Sequence, residues 1–376
     1  MSFLQVTPYS ITSAGSGNII RSWAIFHALC AISETRNIEV EFGKGAALAK
    51  TVPIFSDQSI DKVLSLICNQ NVHSIIFEGV ALLPLARAVK TVRPSIRIIF
   101  DFHNIESALL EEQDRARLRF LPARVVAFAN VQRWRNARDA DLEAAKIADQ
   151  IFVCSQSDLM LARSLGIETP ITIVPNPIPQ WCSLLPPPKR GPNPRLGFVG
   201  HLGYPPNKSA VAFILRDIVP RLKAKGLDPK ITIAGRSPGR RIAALIKSYD
   251  ALLIADPISL EPVYRDLDAL IIPLREGGGT RIKVLEALAV GRPIIASSKA
   301  VDGIDLVDGE HFLLAQTASE FAEAILRLWQ NPELGQAIVS AGREFALRQY
   351  GAHAIQSAIV AGLKITPIKP AQSSSR

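Results

Sequence analysis

Short apolar runs of four to six residues recur along the first half of the chain: Phe3–Pro8, Ile38–Phe42, His73–Phe77, Ile96–Phe100, Gln150–Cys154 and Ile171–Val174. They are rich in β-branched and aromatic residues and read as strands. Between most of them, apolar residues return every three or four positions, which predicts helices near Ile19–Ser33, Asp57–Gln70, Leu82–Val92, Leu118–Ala148 and Ser157–Leu165. Near-continuous apolar strands alternating with helices predict an α/β fold, its parallel sheet covered on both faces.

The pattern then stops. From Pro175 to Pro194 there are eight prolines in twenty residues, including Pro186-Pro-Pro188, with no apolar period. Such a segment is stiff and extended. Beyond it the alternation resumes, with strands predicted at Arg195–Gly200, Ile231–Gly235, Leu252–Ala255, Ala269–Pro273, Ile294–Ser297 and Phe312–Ala315, and closing helices at Glu320–Trp329 and Glu333–Tyr350. The expected organisation is a first α/β domain over 1–176, a Pro-rich linker over 177–194, a second α/β domain over 195–350 and a C-terminal tail over 351–376. Both domains are expected to be doubly wound and Rossmann-like, facing each other across a cleft that holds the ligand at strand carboxyl ends.

Length and composition agree: 376 residues, 48% hydrophobic and 20% charged, are enough for two cores. Cys30, Cys68, Cys154 and Cys182 are widely spaced and form no metal-type pair, which favours a reducing, cytoplasmic compartment. The beginning, Met1-Ser-Phe-Leu, reads as a first strand rather than a signal peptide. A net charge of +9 favours anionic partners without choosing among them.

One stretch concentrates candidate chemistry. The predicted strand ending at Pro273 runs into Gly277, Gly278 and Gly279, then into a helix predicted to start at Thr280 as N-cap and to end at Gly291. A strand, a glycine turn and a helix N-terminus present free N–H groups and a positive dipole end, which suits phosphate. Arg281 and Lys283 place positive charge in the first turn, where it opposes the dipole unless an anion is bound. Glu286, three residues after Lys283, fits acceptance of hydrogen bonds from sugar hydroxyls. The same residues also fit a plain loop followed by a surface ion pair. At other strand ends stand Gly17 in Gly15-Ser-Gly17-Asn, Glu78 in Glu78-Gly79, His103 in Asp101-Phe-His-Asn104, and Gly200 in Gly200-His-Leu-Gly203.

Seven arginines and no acidic residue lie between Arg115 and Arg138, interleaved with Phe120, Phe128 and Trp134. This basic, partly apolar segment fits an anionic lipid surface or an anionic lipid-linked acceptor, and equally a solvated helix face whose arginine stems cover the core. Aromatics are few and no reader module is visible, so nucleic acid is not expected as a partner. The chain has no Walker A pattern, no Gly-x-Ser-x-Gly elbow and no His-Glu-x-x-His, and the dinucleotide fingerprint breaks after Gly17.

The stretch Gly278-Gly-Thr-Arg-Ile-Lys-Val-Leu-Glu-Ala-Leu-Ala-Val-Gly-Arg-Pro293 resembles the signature of family-four retaining glycosyltransferases of GT-B fold, the glycosyl transferases group 1. Supporting pieces occur in the family's order: Asp101-Phe-His-Asn-Ile-Glu-Ser107, Ala148-Asp-Gln-Ile-Phe-Val-Cys-Ser155, Val174-Pro-Asn176-Pro, Gly197-Phe-Val-Gly200 with Pro206-Asn207, Ile233-Ala-Gly235-Arg and Asp268-Ala-Leu-Ile-Ile-Pro273. The resemblance implies transfer of a sugar from a nucleotide-diphosphate sugar to a polysaccharide, lipopolysaccharide or lipid-linked acceptor, with retention of configuration. It implies that Glu286 binds the ribose, that Arg281, Lys283 and the Gly278, Gly279 and Thr280 backbone neutralise the diphosphate, and that Gly17 and Gly200 lie near the donor. His103 would stand near the transferring sugar. Neither a metal nor another cofactor is required if Arg281 and Lys283 neutralise the leaving group. The implied location is cytoplasmic, peripheral on the inner face of the membrane.

Two positions depart from the family pattern. Where a glutamate often stands eight residues before the ribose-binding one, this chain has Gly278, and His201 replaces an arginine common in the loop after the first strand of the second domain. A nucleotide-sugar epimerase of the same fold and a non-catalytic sugar-binding homologue are the alternatives.

Overall fold

The computed structural model describes residues 2–13, 15–42, 55–69, 71–117, 123–276 and 281–364. Among the described residues, twelve strands fall into two sheets, all of whose pairings are parallel. The first contains β1 (Ser2–Thr7), β2 (Glu34–Glu39), β3 (Ser74–Glu78), β4 (Arg97–Phe102), β5 (Gln150–Val153) and β6 (Ile171–Ile173), in the order β2-β1-β3-β4-β5-β6. The second contains β7 (Arg195–Val199), β8 (Lys230–Gly235), β9 (Leu252–Ala255), β10 (Ala269–Ile272), β11 (Ile294–Ala296) and β12 (Leu313–Leu314), in the order β12-β11-β10-β7-β8-β9. The two sheets belong to separate compact units.

Both orders are doubly wound, and each reverses once. The switch lies between β1 and β3 in the first sheet, and between β7 and β10 in the second, where Ala269 pairs with Leu196 and Leu270 with Gly197. Ligands bind such folds outside the strand carboxyl ends at that reversal.

The apolar runs are continuous because both faces of each central strand are covered. In the first sheet Leu4, Ile75 and Ile98 face one core, while Phe3, Ile76 and Ile99 face another. In the second unit, one core gathers Phe198, Ile233, Ile271, Leu285 and Phe321 around the other sheet.

Several expected boundaries move. The second strand is Glu34–Glu39, not Ile38–Phe42; it is an edge strand paired only with β1, so polar residues are tolerated on it and apolar patterning misplaced it. The helix expected over Leu118–Ala148 is found as Ala123–Ile147, and a helix that was not expected, Glu106–Arg117, precedes it. The Pro-rich segment lies against the second unit: Leu185 is in its core and Arg292, itself buried, donates to the Pro186 and Tyr264 carbonyls at 2.9 and 2.8 Å. After Gly351 the chain is not simply a tail. Ala352–Leu363 is helical, and Ile355, Ile359 and Leu363 complete a core of the first unit.

Candidate functional site: two strand-end clusters

In the first unit, the switch point is filled by charge. The helix Gly17–Cys30 starts after the β1 loop, with Ser16 as extended N-cap, so Gly17 is its first residue. Four residues on, Arg21 interrupts an otherwise apolar face and is buried. Its Nε and Nη2 bond the two Asp101 oxygens at 2.8 and 2.6 Å, and its Nη1 donates to the Val174 carbonyl at 2.6 Å and to Asn176 Oδ1 at 3.2 Å. This planar, two-pronged pairing is what guanidinium does best.

Glu78 closes the same cluster from the end of β3. Gln5 Nε2 donates to its Oε1 and Ser22 Oγ to its Oε2, the latter at 2.7 Å. His103, just past β4, sets Nε2 3.0 Å from Glu78 Oε2 and 3.1 Å from Asp101 Oδ2. Both carboxylates are fully buried while the imidazole keeps 14% exposure. Burial opposes charge on His103, but bonding to Asp101 and Glu78 outweighs it and raises the imidazole to about 9. Burial would likewise raise Asp101, yet Arg21 and then His103 hold it well below the usual carboxylate range. Glu78 is raised, by burial first and the neighbouring Asp101 second. Among the described residues these three side chains converge closely enough to suit a metal ion. Arg21 already stands there as a cation.

The second unit's switch point is built differently. Gly200 directly follows β7, and its N–H donates to the Ala234 carbonyl at 3.0 Å. Gly235, at φ +152°, allows this approach, because a Cβ there would lie 1.7 Å from the Gly200 oxygen. The helix Pro205–Phe213 then brings in Asn207, whose Nδ2 donates to the His201 carbonyl at 2.9 Å.

From the other side comes the helix Ile282–Ala289. It begins later than expected, with Arg281 as N-cap in place of Thr280. The Arg281 backbone is extended and its carbonyl accepts the first intrahelical bond, from Val284 N at 2.9 Å. Gly278, Gly279 and Thr280 lie outside the described residues. Lys283 Nζ donates to Asn207 Oδ1 at 2.9 Å and sits 4.2 Å from the centre of the Phe198 ring. A Cβ at Gly200 would stand 2.6 Å from that Nζ.

One turn along, Glu286 is buried and accepts from the Tyr264 hydroxyl at 2.8 Å; Trp181, from the Pro-rich segment, packs on the Tyr264 ring. Burial, and then Arg281, push Lys283 down to about 7. Burial pushes Glu286 up to about 7 against the opposing influence of Tyr264 and Lys283.

Gly200, Arg281, Lys283 and Glu286 thus gather at the switch point of the second sheet, while His103 and Gly17 belong to that of the first. Sequence reasoning missed Arg21 and Tyr264, and placed Glu78 at a strand end without giving it a role. A signal existed for one of the missed pair: Arg21 breaks the apolar face of its helix. Nothing local distinguished Tyr264.

Residues 193–331 match the family model described as Glycosyl transferases group 1. A phosphatidyl-myo-inositol mannosyltransferase of Mycobacterium leprae (strain TN) is 28% identical over 177 residues, 44% of this chain and 46% of that protein. The chain's matches span less than half the length of the curated relatives. Among solved structures, a sucrose-phosphate synthase from Thermosynechococcus elongatus superposes with a TM-score of 0.69 at 15% identity, covering 96% of this chain and 98% of the other. Anabaena HepE, in complex with UDP and glucose, superposes at 0.68 and 10% identity, covering 97% and 100%. Residues 193–331 thus carry a likeness to the glycosyl transferases group 1, and the two doubly wound parallel sheets have the GT-B fold.

Proposed function

We propose that this protein transfers a sugar from a nucleotide-diphosphate sugar to a carbohydrate or lipid-linked acceptor, with retention of anomeric configuration. The observation that carries the proposal is the pairing of Lys283 and Glu286 one helical turn apart at the second switch point, with Gly200 and Asn207 against Lys283. Glu286 accepts the ribose hydroxyls. Lys283 and Arg281 neutralise the diphosphate, together with the backbone of Gly278, Gly279 and Thr280. Most of the catalytic work is stabilisation of charge that develops on the leaving phosphate oxygens.

Retention follows if the acceptor hydroxyl attacks from the face the phosphate leaves. The C1–O bond to phosphate breaks as the new glycosidic bond forms, and the acceptor proton passes to the departing phosphate oxygen. His103 is the residue this reading assigns to the transferring sugar. Two lysine- and arginine-held phosphates need no divalent ion, so transfer should be unchanged by a chelator.

The exposed Arg133, Arg135 and Arg138 lie on the helix Ala123–Ile147 and give a cytoplasmic protein a peripheral hold on an anionic membrane face. No described helix is long and apolar enough to cross a membrane.

The test is transfer by the purified chain from UDP-, GDP- and ADP-sugars, with the anomeric configuration of the product read by NMR. A retained linkage, lost in Glu286→Ala at unchanged melting temperature, is expected. An altered free nucleotide-sugar formed without acceptor would replace the transferase with an epimerase.

A further inference from the structure

The first unit's cluster is more elaborate than a histidine at a strand end requires. His103 Nε2 faces two carboxylate oxygens, at 3.0 and 3.1 Å. A lone pair on that nitrogen would oppose both, so Nε2 carries the proton. The open question for the ring is then Nδ1, which is an acceptor in the neutral imidazole and a donor in the imidazolium.

The surroundings decide it. Glu78 already accepts from Gln5 on one oxygen and from Ser22 on the other, as an ionised carboxylate does. Asp101 is ionised by its two bonds to Arg21. Two buried anions against Arg21 alone leave one negative charge uncompensated, and a buried unpaired charge is strongly unfavourable. A positive His103 closes the set at two against two. The other titratable groups around the ring do not disturb this balance. Burial pushes the Cys154 thiol up to about 12, so it stays neutral, and Tyr9, bonded to Ser22, is also raised by burial. Glu106 is raised by burial and by Asp141. The imidazole keeps 14% exposure, and on its Nδ1 side stands Gly79, at φ +99°, where a Cβ would lie 3.9 Å from Nδ1.

We infer that Glu78 is a positioning residue: together with Asp101 it holds His103 as an imidazolium, so that Nδ1–H is a hydrogen-bond donor offered to the sugar rather than a base that takes a proton from it. The role of the donor rests on the transferase reading; the charge state of His103 does not. The consequence for mechanism is definite. Proton removal from the acceptor falls to the leaving phosphate, and His103 contributes positive charge and one oriented N–H.

The experiment is a pH titration of the protein labelled with 15N-histidine, in wild type and in Glu78→Gln, with the His103 signals assigned by their absence in His103→Gln. In the wild type both ring nitrogens should remain protonated through pH 8. In Glu78→Gln, with one buried charge removed, the ring should deprotonate at Nδ1 near the ordinary histidine value of about 6.5. Transfer by Glu78→Gln should fall roughly 30-fold in kcat at pH 8, the ratio of imidazolium populations for those two titrations, recover below pH 6, and keep an unchanged KM for the donor. Glu78→Asp, which keeps the charge, should restore most of the loss. Should Glu78→Gln fold poorly, Ser22→Ala perturbs the same carboxylate more gently and should lower the His103 titration by a smaller step. Wild-type His103 found neutral at pH 7, or a titration unmoved by Glu78→Gln, would overturn the charge assignment. A moved titration with an unmoved pH profile of kcat would overturn the donor role. Complete absence of transfer in the wild type would instead refute the proposed function while leaving the titration to be read.

Discussion

The two switch points use the same kinds of side chain to opposite effect. In the first unit Asp101 is held below its ordinary range and His103 above it, so both are biased toward charge by partners already in place. In the second, Lys283 is pushed down and Glu286 up, so both are biased toward neutrality by burial. The first cluster compensates its own charges. The second has a lysine whose bonded partner is the neutral Asn207 amide, and a carboxylate whose partner is a phenol. A preorganised site can lack counter-charge only if its ligand brings some, and a diphosphate supplies it for Lys283.

The largest effect should come from breaking the self-compensated side. Arg21→Met leaves Asp101 buried without its main partner, and should destabilise the protein by about 3–5 kcal/mol in urea unfolding. A loss of under about 1 kcal/mol would mean that the cluster is hydrated and uncompensated after all. On the other side, Lys283→Ala should leave unfolding nearly unchanged and lower transfer by about 10²–10³-fold, as loss of a donor to developing charge does. Reversal of these two phenotypes would invert the comparison.

Smaller changes sharpen it. Because the folded protein raises Glu286 above its ordinary range, the neutral form fills as pH falls below about 7. Ribose binding should therefore weaken below neutrality in the wild type. In Glu286→Gln it should be weaker by about ten-fold and flat with pH, since a neutral amide replaces a charged acceptor. Gly200→Ala should have the least effect. Its new methyl would stand 2.6 Å from Lys283 Nζ and 3.0–3.2 Å from the buried Asn207 amide, so the two side chains shift together and donor affinity drops only a few-fold, on the order of 1 kcal/mol.

Much of this was legible from local pattern. The two runs of strands, the Pro-rich segment between them and the strand-end glycines all follow from apolar periodicity and turn chemistry. Lys283 and Glu286 were visible because a helix places positions three apart on one face. The edge strand Glu34–Glu39 was misplaced because an edge can be polar. Arg21, Asp101, Glu78 and His103 come from a helix and two strand ends spread over 83 positions of sequence, counted from residue 21 to residue 103 inclusive, and no local spacing announces that they meet. Tyr264 was hidden for the same reason: its hydroxyl matters only because the fold buries it against Glu286.

Whether the second switch point is short of counter-charge can be measured directly by calorimetry of UDP, GDP and ADP binding in buffers of different ionisation enthalpy. Lys283, lowered to about 7 in the free protein, should be raised by a bound diphosphate. Binding should then take up a proton between about pH 7 and 9, and affinity should fall as pH rises through that window. The uptake should vanish in Lys283→Met. Wild-type binding of a nucleoside diphosphate with no net proton uptake near pH 8, or uptake that persists in Lys283→Met, would contradict the account.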